Sequence, residues 1–121
     1  MTDSQPVDAV HLSQLREVME GEYVDLLQTY IDNAPKELAR IHNGVWSQDY
    51  DIIAAAAHTL KGSSSNIGAV RLSLKFIELE YLARQKQPIE SIRSEIERIQ
   101  HEYQLVCDVL NREIDQGKKA V

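Results

Sequence analysis

Four histidines punctuate this 121-residue chain, His11, His42, His58 and His101. One of them stands among residues suited to assist it. His58 precedes Lys61 by three positions and Gly62 by four, spacings that share one side of a helix. At 100° per residue, its ring points roughly 130° away from the centre of the apolar stripe of its helix. His58 is therefore an expected surface residue, on the same side as Ala54, Lys61, Gly62 and Ser65. Glycine inside a helix costs about 1 kcal/mol against alanine. Its ordinary explanations are a helix end or a closely packed neighbour. Its chemical explanation is access, because a side chain at i+4 would stand over the imidazole. A nucleophilic ring, a cation and a missing side chain together suit an imidazole that accepts a bulky dianionic group. A lysine ~4 Å from a phosphoryl oxygen gains between ~1 kcal/mol in water and ~4 kcal/mol near a protein surface. An exposed site belongs near the lower figure, so Lys61 tunes the reaction while His58 is indispensable. The ordinary reading of the other three histidines is a place on the surface.

Such a patch needs regular helix beneath it. Pro6, Pro35 and Pro88 are the only prolines, and no segment alternates strictly between apolar and polar residues, so no strand is expected. The spacing of apolar residues predicts helices over 11–20, 22–43, 48–66, 69–85 and 88–116, after a frayed lead-in over 1–8. Leu12, Leu15, Val18 and Met19 form the stripe of the first, which ends near Gly21. The second carries Tyr23, Leu27, Tyr30, Ala34 and Ile41; Pro35 predicts a kink or break, and Asn43-Gly44 the stop. Ser47 is the expected cap of the third, with Asp49 in its first turn and Trp46, Ile53, Ala57, Leu60 and Ser64 on its apolar face. Gly68 marks the turn into the fourth, whose stripe is Leu72, Phe76, Leu79 and Ala83. Pro88 suits the first position of the fifth, which repeats Ile92, Ile96, Ile99, Val106 and Leu110 and stops at Gly117. No stripe can be buried alone. The expected fold is all-α: one domain over 1–121, an antiparallel up-down-up-down four-helix bundle, with the short first helix capping one end. A coiled-coil dimer through the last helix is the rival, disfavoured because the other long helices also need partners.

Composition excludes several functions. Thirteen basic against nineteen acidic residues give a formal charge of −6, which argues against nucleic acid. Cys107 is the only cysteine, so neither a disulfide framework nor a Cys-based zinc site is available. No stretch reaches the ~18 apolar residues of a membrane span. The start lacks a positive, then apolar, signal region, and a cytoplasmic setting is expected. No Gly-Lys-Ser/Thr phosphate loop follows the glycines, and Glu97 and His101 stand four apart rather than as a Glu-x-x-His pair. No cofactor or metal site of its own is expected, and there is no room for an ATP-binding domain.

The run His58-Thr59-Leu60-Lys61-Gly62-Ser63-Ser64-Ser65-Asn66-Ile67-Gly68-Ala69 resembles the signature of histidine phosphotransfer (HPt) domains. The resemblance continues through Leu72 to Leu79-Glu80; weaker similarity spans roughly 8–115 and includes Asn33-Ala34-Pro35. It implies the same helical bundle and a phosphorelay intermediate, a phosphohistidine carrier more than a true enzyme. By resemblance His58 is the phosphoacceptor at Nε2, Lys61 supports the phosphoryl group and Gly62 gives access; Ser65 is a site candidate from its place on the same side of the helix. Glu80 matches a position that accepts the Nδ1 proton and orients the ring; its ordinary reading is an exposed helix carboxylate. Phe76 replaces a residue that is often small or cysteine in the family, a change expected to alter packing. Mg²⁺ would come from the partner's acidic cluster. The implied partners are the receiver domain of a hybrid sensor kinase as donor and that of a response regulator as acceptor. Leu15, Met19, Val24 and Ala55 are candidates for an apolar docking patch, although most such residues are core. A monomeric stand-alone shuttle of bacterial type is expected, an excised kinase domain being the other origin. A helical adaptor that binds partners without carrying phosphate is the competing function.

Overall fold

The computed structural model describes residues 5–119. Five α-helices follow one another: α1 (Ala9–Met19), α2 (Tyr23–Ser47), α3 (Tyr50–Asn66), α4 (Val70–Arg84) and α5 (Ile89–Lys119), with a 3₁₀ turn at Glu20–Glu22. The long helices α2 to α5 form a closed ring in which α3 packs on α2 and α4, and α5 on α4 and α2. This is the expected four-helix bundle. The α5 stripe is spent inside the chain, with Ile92, Ile99, Val106 and Leu110 fully buried, which removes the coiled-coil rival. Phe76 from α4 belongs to the same buried core as Leu27, Ile41, Ile53, Leu60 and Leu79.

Helix ends depart from the sequence reading where two signals compete. α2 runs unbroken through Pro35 and past Gly44 to Ser47, where Gln48 turns left-handed (φ 56°) and its N–H reaches Gly44 and Val45 carbonyls. The break expected at Pro35 does not occur, because neighbours bury the helix on both sides of it. Ser47 ends α2 and does not cap α3; the cap is Asp49, whose carboxylate accepts from the Ile52 N–H at 3.2 Å. Trp46 consequently belongs to α2 and is 87% exposed, not part of the α3 face. Val18 is likewise exposed. Gly117 lies within α5, which reaches Lys119. α4 bears an exposed row, Val70, Leu74, Ile77 and Tyr81, besides its buried stripe.

α1 closes the end of the bundle where α3 turns into α4. Asp8 caps α1 by accepting from Val10 and His11 N–H groups, and its own N–H donates to Gly68 O at 2.9 Å. His11 donates from Nε2 to Asn66 O at 2.8 Å, so it is a staple between the cap and the bundle, where a surface place was expected. Gly68 permits this closure: its φ is +81°, and a Cβ there would stand 2.9 Å from the His11 ring. Val7 is buried against the same end, so 5–8 is not the frayed lead-in expected, and 1–4 lie outside the described residues.

Candidate functional site

α3 places His58 in its middle, with the side chain 59% exposed. The stripe of Ile53, Ala57, Leu60 and Ser64 is buried on the opposite side, and the hydroxyl of Ser64 is satisfied by Tyr30 OH at 2.8 Å. Ala54, expected beside His58, is instead 1% exposed and packed in the core. A residue on the flank of a helix is surface or core according to what packs beside it, and only the bundle decides that.

Glu80 comes to the ring from α4. Its Oε1 lies 3.2 Å from His58 Nδ1, and its side chain is only 16% exposed. Its other oxygen, Oε2, accepts from Arg84 Nε at 2.9 Å and Nη2 at 2.8 Å. Partial burial opposes the charge on Glu80, but the hydrogen bonds from Arg84 and then His58 outweigh it, and the carboxyl is held below its ordinary range. A charged carboxylate only accepts, so the His58 nitrogen that faces it carries the proton. In the neutral ring this places the N–H at Nδ1 and the lone pair at Nε2. α3 and α4 are held in this register by Ser73, whose hydroxyl donates to Lys61 O at 3.0 Å.

Gly62 is a turn beyond His58 and well inside α3, which ends at Asn66. A Cβ built on it would meet nothing within 4 Å. Neither a helix end nor a packed neighbour accounts for this glycine. Lys61 is half-buried and has no ion-pair partner among the described residues. Ser65 is exposed two turns after His58, and its carbonyl accepts from the Gly68 N–H at 3.0 Å.

Among the docking candidates, Ala55 is exposed one turn before His58. Leu15, Met19 and Val24 sit on α1 and at the start of α2, half-buried against the core, so most of their apolar surface is already used. Val24 fits against Gly117, where a Cβ would come within 2.5 Å of its Cγ2. The larger apolar feature near His58 was not read from the sequence. It is a groove of about 360 Å³ between α2 and α3, with Leu26, Tyr30, Ala34, Leu60 and Ile67 in its lining and Thr59 and Ser63 on its α3 wall. Arg84 was also missed. Its signal was the Glu80-to-Arg84 spacing of four, which favours an ion pair on one helix.

Among the described residues no group of three His, Cys, Asp or Glu side chains could hold a metal ion. No helix among them is long and apolar enough to cross a membrane.

Comparisons with known proteins give the family and the fold. The family model described as Hpt domain matches residues 25–109. Among solved structures, the chain is similar to the histidine-containing phosphotransfer protein B of Pseudomonas aeruginosa PAO1, with 32% identity and a TM-score of 0.87 over 92% of this chain and 96% of that one. It also shares its fold with the HPT domain of a sensor hybrid histidine kinase from Shewanella, with 18% identity and a TM-score of 0.72 over 87% and 90% of the two chains. No curated protein sequence matches.

Proposed function

Because the chain belongs to the Hpt domain family, whose members are phosphorelay intermediates in two-component signalling, we propose that His58 is the residue that carries the phosphoryl group. The observation that carries this reading is the exposed His58 ring with Nδ1 held by Glu80 and Nε2 left free. The donor is an aspartyl phosphate on the receiver domain of a hybrid kinase. Nε2 attacks phosphorus, the N–P bond forms as the bond to the aspartate oxygen breaks, and the aspartate carboxylate leaves. The ring keeps its Nδ1 proton, and the positive charge that it gains faces Glu80. Lys61 offsets charge on the phosphoryl oxygens, and Gly62 leaves them room, with Ser65 at the border. The second transfer runs the same step in reverse, onto the receiver domain of a response regulator. The transferring group needs positioning and charge neutralisation more than covalent chemistry. Mg²⁺ is supplied by the receiver's acidic cluster. The receiver docks over Ala55 and the adjoining α2–α3 groove, with Leu15, Met19 and Val24 shaping the helices beneath. The carrier works as a monomer in the cytoplasm.

The test is incubation with a phosphorylated receiver domain. Acid-labile, alkali-stable label is expected on this protein and is expected to vanish in His58→Gln. Label that persists in the variant would place the phosphate on another residue. A folded protein that binds receivers and never takes label would be the non-phosphorylated adaptor instead.

A further inference from the structure

Glu80 has two partners, and its two oxygens divide them. Oε1 faces His58 Nδ1 at 3.2 Å. Both Arg84 nitrogens, Nε and Nη2, converge on Oε2 at 2.9 and 2.8 Å. Turning the carboxylate away from the ring would therefore break two charge-assisted hydrogen bonds at once. Arg84 lies one turn after Glu80 on the same helix, so α4 itself sets the distance between them. This restraint has chemical work available. A free histidine ring prefers its proton on Nε2, which would leave that nitrogen without a lone pair for attack. The opposite tautomer must be imposed by the hydrogen bond at Nδ1. His58 is too exposed for burial to impose it, which leaves the orientation of Glu80.

We propose that Arg84 is a positioning residue for phosphotransfer: it clamps Glu80 through Oε2, so that Oε1 holds the Nδ1 proton and Nε2 stays the nucleophile. The inference rests on His58 being the phosphocarrier. Arg84 acts through Glu80 and is not itself a catalytic residue. Its side chain is 57% exposed, so its replacement removes no core packing.

The test uses the full chain with Arg84→Ala and Arg84→Lys. Nitrogen NMR of the His58 ring reads the tautomer in unphosphorylated protein, and label from a phosphorylated receiver reads the transfer rate. In the parent protein the Nδ1–H form is expected to dominate. In Arg84→Ala a mixture of tautomers is expected, with transfer slowed about 10-fold, the scale at which partners that orient a functional histidine act. Arg84→Lys should fall between, since an ammonium keeps the charge and loses the two-nitrogen grip. Far-UV helicity should be the same in all three. Either the parent tautomer or the parent rate in Arg84→Ala overturns the proposal. A parent protein that takes no label at His58 would instead sink the carrier reading, while the tautomer measurement still decides what Arg84 does to the ring.

Discussion

A Cβ built onto Gly62 would touch nothing within 4 Å, although the residue lies within α3 and not at its end. A glycine that packing does not need, in a helix that it weakens, separates stability from function. Gly62→Ala is expected to raise unfolding stability by about 1 kcal/mol, read from denaturant curves. Gly62→Gln should slow transfer from a phosphorylated receiver while far-UV helicity is unchanged. Transfer at the parent rate in the Gln variant would remove the access role. The neighbouring residues show how much of the site is local. His58, Lys61 and Gly62 occupy one side of one helix because they are three and four residues apart, and this was readable from their order. Glu80 and Arg84 stand 3.2 Å and one carboxylate away from the ring only because α4 lies along α3.

At the level of elements, the joint between α2 and α3 shows why helix ends were harder to read than helices. Gly44 looked like a stop, since glycine commonly follows a helix C-terminus. It is instead a buried helical residue where α3 passes close. A Cβ there would lie 2.7 Å from Ile53 Cγ1 and 3.2 Å from the backbone oxygen of Asp49. Ile53 is fully buried and has little space to yield. Gly44→Ala is therefore expected to destabilise the protein by about 1–3 kcal/mol, the usual cost of overpacking, and to lower its Tm. A Tm equal to or above the parent's would show that the joint adjusts. Both a stop and a close approach call for a missing Cβ, so residue type alone could not tell them apart. Ser47 and Asp49 pose the same ambiguity, since both are good caps; Asp49 took the role because Gln48 made the left-handed turn between them.

Over the whole molecule, the core and the reactive patch are back to back. Phe76, bulky where the resemblance led one to expect a small residue, fills the centre and is fully buried. Phe76→Ala is expected to cost about 3–5 kcal/mol in denaturant unfolding. Labelling of His58 should scale with the folded fraction and show no separate chemical defect. A larger loss of labelling would mean that the core reaches the site. The −6 charge is compatible with this chemistry, because the phosphoryl group would be held by a covalent bond and only locally by Lys61.

The order of residues by itself determined the five helices, most of their buried stripes and the exposure of His58 beside Lys61 and Gly62. Those features follow from a 3.6-residue repeat, which is a property of neighbouring residues along the chain. Tertiary structure decided what lies on either flank of that patch. It covered Ala54, brought Glu80 and its Arg84 clamp to the ring, drew His11 onto Asn66, and spent most of Leu15, Met19 and Val24 on the core. Each of these depends on which helix packs against which, and at what height, and the periodicity of a single helix carries no record of its neighbour's register.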